Sequence, residues 1–218
     1  MRPTASIDRL IRERHLLTHP FYTAWSKGEL PLPTLREYAQ QYYRFESDFP
    51  RFVAATYAHL TDPAARRQLL ENLVDEEGRD PTHPTLWTDF VRGIGGPSRP
   101  ARFAPPTPAT RALCDTYERL TFDGSAAEGL GALYAYEAQF PAVAAEKSRG
   151  LRAHYGITDA KTHEFFRVHS EADVAHSAAE RRVLGRAIRA SPGAQLQALK
   201  ASRASLGAWW SFLDQFVG

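Results

Sequence analysis

The 218 residues carry 27 Lys plus Arg against 25 Asp plus Glu, a formal net charge of +2, and the two signs are interspersed, which argues against nucleic acid as the main partner. Cys114 is the only cysteine, so neither an intramolecular disulfide nor a thiolate zinc cage can form, and a reducing cytoplasm is the expected setting. MRPTASIDRL lacks an apolar core of signal-peptide length and no stretch approaches the roughly 20 apolar residues of a membrane span, so no membrane partner is expected.

Apolar residues recur at three- and four-residue spacing along nearly the whole chain, and alternating strand patterns are missing, which predicts an all-α protein in a single domain over 1–218. Ser6 is placed to cap a first helix reaching Leu17, and HPFYTAWSK (19–27) predicts a short second helix ended by Gly28. Pro33 opens a long helix in which Pro50 removes one backbone bond and predicts a kink. Asp62 and Pro63 start a helix running to about Gly78, and HPTLWTDFVRGI forms the next. The proline-rich segment 97–108 (PSRPARFAPPTP) cannot be regular helix and predicts a surface loop. Helices follow near 109–122, 125–150 (kinked at Pro141), 159–189 and 194–216. About eight helices, two of them long and kinked, predict a compact orthogonal bundle.

Metal chemistry enters with RVHSEADVAHS. At about 100° per residue, His169, Asp173 and His176 fall on one helix face within two turns and can point at one spot. In NLVDEEGRDPTHP, Glu76 closes a helix and His83 opens the next. In LYAYEAQFP, Glu137 lies among apolar residues, where an ionised carboxylate needs a cation, either a metal ion or an arginine. Three carboxylates and three imidazoles from four helical segments, with no sulfur, suit two iron or manganese ions better than structural zinc. Two divalent ions bring four positive charges against three negative ones, which leaves room for hydroxide or reduced oxygen, and such a site activates O2. Asp75 and Glu77 fall on other faces than Glu76, and Glu171 points away from the His169 face. Glu180 continues that face one turn on and is the rival ligand.

HPFYTAW, NLVDEEG followed by HPTLW, YEAQFP and the His-x3-Asp-x2-His helix together resemble the family of the chlamydial protein associating with death domains, from about residue 15 to about residue 185. That family sits among the haem-oxygenase-like dimetal oxidases, with the TenA thiaminases and PqqC oxidases. The resemblance implies a haem-oxygenase-like bundle, two transition-metal ions (Fe/Fe or Mn/Fe) and O2 as co-substrate; a reductant is expected as a partner, and the oligomeric state is open, a homodimer among the options. It further implies synthesis of p-aminobenzoate for folate from the protein's own side chains. Tyr22 would be the consumed tyrosine and Lys147 the amino donor, with Tyr38 and Tyr136 supporting radical chemistry near the metals. Read from the residues alone, these tyrosines pack a core and Lys147 is a solvated charge. Lys147 also lies ten residues beyond Glu137, roughly 15 Å of rise in an unbroken helix.

Four rival readings stand beside this one: a dimetal oxidase of a free amino or fatty acid, a thiaminase-like hydrolase using Cys114, a death-domain binding module, and a haem oxygenase with His15 or His19 as axial ligand.

Overall fold

The structure is a computed structural model that describes residues 3–78 and 80–217, apart from the side chains at 101 and 171–174. Among the described residues every regular element is helical. The first helix, α1 (Ala5–Glu13), starts from Thr4 rather than Ser6 and stops well short of Leu17. It ends early because His15 takes an extended backbone and its Nδ1 accepts from Leu17 N–H at 3.2 Å, opening a separate 3-10 turn over Leu16–Thr18. His19 repeats the device: its Nδ1 accepts from Phe21 N–H at 3.1 Å and opens α2 (Pro20–Lys27), which Gly28 closes at φ 72°. His19 Nε2 is engaged by Asp214 at 3.0 Å, so both ring nitrogens of this rival haem ligand serve the fold.

Helix α3 (Leu32–Ala58) continues through Pro50. Its inward face repeats at helical spacing through Leu35, Tyr38, Tyr42, Phe45, Glu46, Phe49 and Val53, so one carboxylate is carried in among aromatics. Asp62 caps α4 (Pro63–Glu77), and α5 (His83–Gly93) follows. The proline-rich segment is a surface connection, as expected, and it is tied down. It contains a 3-10 turn over Pro100–Arg102, Ala104 N–H donates to Gln40 Oε1, and Thr107 N–H donates to Gln41 Oε1.

After α6 (Pro108–Thr121), the expected helix over 125–150 is two helices, α7 (Ala126–Glu137) and α8 (Phe140–Tyr155). Pro141 has no N–H for the carbonyl of Glu137, so the chain starts a new helix there instead of bending an old one. Gln139 bridges the break, donating from Nε2 to Ala135 O at 2.6 Å and accepting at Oε1 from Leu16 N–H at 2.8 Å. Helices α9 (Ala160–Ala190) and α10 (Ala194–Asp214) complete the bundle, and no helix among the described residues is long and apolar enough to cross a membrane.

The core is aromatic and α7 runs through it, buried from Gly129 to Glu137. Close packing of α7 on α10 depends on Gly131, where a Cβ would stand 2.6 Å from the Ala198 carbonyl oxygen, an atom of rigid backbone. Gly131→Ala is therefore expected to destabilise the protein by about 1–3 kcal/mol in a thermal melt. Gly207→Ala, on the same α10 but in open space, is expected to stabilise it by up to about 1 kcal/mol.

Candidate metal centre and adjoining tyrosine chamber

Four helices bring candidate ligand side chains together. Glu76 is on the last turn of α4 and His83 is the first residue of α5, and the turn between them brings His83 Nδ1 to 2.6 Å from Glu76 Oε2. Glu137 ends α7, and both of its carboxylate oxygens accept from Asn72 Nδ2, at 3.0 and 3.3 Å. From α9, His169 donates its Nδ1–H to the Phe165 carbonyl at 2.8 Å, which fixes the tautomer and presents the Nε2 lone pair. His176, two turns on, is oriented by Asp75, 2.8 Å from its Nε2. None of these five ligand candidates is more than 7 % exposed.

Their ligand atoms form two sets, each lying mutually within 4.8 Å: Glu46, Glu76, His83 and His169 in one, Glu76, Glu137 and His176 in the other. Glu76 belongs to both. Asp173 lies outside the described side chains. Glu180 is buried but belongs to neither set among the described residues; it lines a small neighbouring cavity with Asn72 and His176.

The donor set fits divalent transition ions. Burial, reinforced by the charge of Glu137, pushes the Glu76 carboxyl well above the usual carboxylate range. Burial, with His83 alongside, holds the His169 imidazole well below its ordinary basicity, so it stays neutral with a lone pair to give. Cations here would offset the carboxylate repulsion and accept the imidazole lone pairs together. Beside the ligands is a cavity of about 10 Å³ lined by Glu46, Phe49, Glu76, Tyr136, Glu137 and His169, room for one small molecule.

Tyr136 leads out of this cavity. Its ring is stacked on Trp209, 4.9 Å between centroids at 7°, and its hydroxyl is hydrogen-bonded to that of Tyr42. Tyr42 is stacked on Trp87 at 4.1 Å and lies 5.6 Å from the Tyr38 ring; Tyr38 and Tyr22 share a hydroxyl hydrogen bond of 3.1 Å. Into this row comes Lys147. The break before α8 turns that helix so that the lysine, 0 % exposed, places Nζ 4.6 Å from the Tyr42 ring centroid, 5.2 Å from Tyr38 and 5.7 Å from Tyr22. Trp25 holds the backbone there, donating from Nε1 to the Lys147 carbonyl at 3.2 Å. Burial drives the Lys147 ammonium well below its ordinary basicity, with Glu46 opposing only in part, which favours the neutral amine.

Two residues of this cluster and tyrosine row escaped sequence reasoning. Glu46 sits at helical spacing from Tyr38, Tyr42 and Phe49, and the argument that singled out Glu137, a carboxylate on an apolar face, applies equally to it. Tyr42 was hidden among the tyrosines of YAQQYYRF. Cys114 lies half-buried in α6, its thiol pushed up to about 12 by burial, so it is no nucleophile at neutral pH. Cys114→Ser is expected to leave product yield within about twofold of wild type in an end-point assay, since no reacting thiolate is lost.

A helical bundle that buries paired carboxylates and imidazoles beside a row of tyrosines is the architecture of a metal-dependent oxidoreductase. Residues 36–210 match the model of a family described as iron-containing redox enzymes, and the chain belongs to that family. It is 38 % identical over 211 residues to a 4-aminobenzoate synthase from Chlamydia muridarum (strain MoPn / Nigg), covering 97 % of this chain and 88 % of that one. A 4-aminobenzoate synthase from Nitrosomonas europaea is 36 % identical over 217 residues, covering 95 % and 88 %. In fold, the chain superposes on a TenA homolog from Pseudomonas syringae pv. tomato with a TM-score of 0.82 at 17 % identity, over 99 % of this chain and 91 % of that one.

Proposed function

We propose that this chain makes 4-aminobenzoate from its own side chains, with Tyr22 supplying the ring and Lys147 the nitrogen. Two transition ions, Fe/Fe or Mn/Fe, would be held by Glu76, His83, Glu137, His169, Asp173 and His176, with O2 as co-substrate and a reductant as partner. The observation that carries this reading is the closed chamber in which the Lys147 amine faces Tyr22 next to the carboxylate and imidazole cluster. The kinship with 4-aminobenzoate synthases supports it.

When bound, the ions supply oxidising equivalents drawn from O2. The protein's own residues do the rest. Burial withholds a proton from Lys147, so Nζ keeps the lone pair that a new bond to the ring requires. The hydroxyl pairs Tyr22 with Tyr38 and Tyr42 with Tyr136 let a phenolic proton shift to its neighbour as an electron leaves the ring. In product terms, the ring carbon of Tyr22 loses its oxygen as water and bonds to Nζ of Lys147, whose Cε–Nζ bond breaks as Cε is oxidised to an aldehyde; the Cα–Cβ bond breaks as Cβ is oxidised to a carboxylate, and O2 accepts the electrons of both oxidations. A chain can do this once. The need for reduced ions fits a cytoplasmic setting.

The test is to load the protein anaerobically with Fe(II), alone or with Mn(II), admit air, and count 4-aminobenzoate per chain by chromatography. The expected yield stops at or below one per chain. Continued turnover of an added amino or fatty acid would instead favour an ordinary oxidase of a free substrate.

A further inference from the structure

We propose that Glu46, on α3, is a seventh protein ligand to the metal centre and belongs to the ion bound by Glu76, His83 and His169. The geometry is direct: a Glu46 carboxylate oxygen lies within 4.8 Å of the ligand atoms of all three, the same spacing that unites Glu76, Glu137 and His176 around the second position. The side chain is 3 % exposed and borders the cavity at the cluster, so it faces the centre and not solvent.

Charge gives a second, independent argument. Glu76, Glu137 and Asp173 bring three negative charges, one short of two divalent ions, and Glu46 supplies the fourth, which makes the resting centre neutral in a low-dielectric core. The natural competitor for Glu46 is Lys147, the buried amine whose charge it influences. Among the described residues Lys147 Nζ has no hydrogen-bond partner, Glu46 included. Glu46 also distinguishes the two positions: its ion would have four protein ligands and face the lysine chamber, while the other draws on Glu137 and His176.

This inference rests on the reading that the cluster holds two ions, and the experiment separates the two claims. Wild type, Glu46→Ala and Glu46→Gln are loaded anaerobically with Fe(II), desalted, and analysed for iron per chain, with circular dichroism melts to establish folding. Wild type is expected to keep two ions, and the variants one, with affinity for the lost ion down by roughly 100-fold or more. Variants that keep two ions at wild-type affinity overturn the role of Glu46 alone; a wild type that binds none overturns the centre. Should the variants not fold, anomalous diffraction from metal-loaded wild-type crystals decides the matter. A Glu46 oxygen at about 2.0–2.2 Å from one ion supports the assignment, and one beyond about 3.5 Å from both overturns it.

Discussion

Tyr22→Phe protein, loaded with metal and exposed to air, is expected to lose 4-aminobenzoate by roughly two orders of magnitude or more while binding ions as wild type does. The substitution keeps the ring, its burial and its edge-on packing against Phe21, and removes a single oxygen. That oxygen has two duties in the proposed chemistry. It is the group displaced by nitrogen, and it is the phenol whose proton and electron leave together. Phenylalanine offers neither a leaving oxygen nor an easily oxidised ring. The cost in stability is modest by comparison, about 1–3 kcal/mol, because the Tyr38 hydroxyl is left without its partner at 3.1 Å. Metal analysis of the variant separates a lost reactant from a lost centre. A Tyr22→Phe protein that makes as much product as wild type contradicts self-sacrifice.

Lys147→Met is expected to abolish product to the same degree and yet to raise thermal stability by about 1–3 kcal/mol. The two effects run in opposite directions because the amine is a poor residue for its site. Nζ is fully buried among six aromatic rings and, among the described residues, has no hydrogen-bond partner. Methionine has a similar length and nothing to desolvate. Linkage gives the pH dependence. Burial lowers the basicity of the amine in the folded protein while the unfolded chain keeps its ordinary value of 10.5, so folding releases a proton between the lowered value and 10.5. Wild-type stability therefore rises with pH, and the advantage of the variant shrinks by up to about 1.4 kcal/mol per unit as 10.5 is approached. A variant no more stable than wild type at pH 7 would show that Lys147 is not held neutral in an apolar site.

Helix placement was readable wherever a local chemical signal exists. The Asp62 cap, the Gly28 stop and the spacing of apolar residues each act within one or two turns, and the corresponding helices are where those signals put them. The break at Ala138 and Gln139 was not readable, because a proline that kinks a helix and a proline in the first turn of a new one leave the same mark in sequence. His169 and His176 share a face for reasons of helical periodicity alone. Glu137 was found as a carboxylate in a costly place, and Glu76 and His83 as neighbours across one turn between helices; all three converge with the two histidines. Glu46 answers the description of Glu137 but lies in a helix whose aromatics pointed to packing. Lys147 shows the limit most clearly: its reach into the tyrosine row is set by how α8 leaves α7 and by the Trp25 contact, neither of which is local in sequence.

Isotopic origin of the product tests the account most directly. Protein grown with ring-labelled [13C6]tyrosine and [15N]lysine labelled at Nζ is purified, loaded with unlabelled metals, and exposed to air in unlabelled buffer containing free tyrosine and lysine. The 4-aminobenzoate formed is expected to carry six 13C atoms and one 15N, with a matching mass loss from the peptide that contains Tyr22. Unlabelled 4-aminobenzoate, with Tyr22 and Lys147 intact in the protein, would contradict the account.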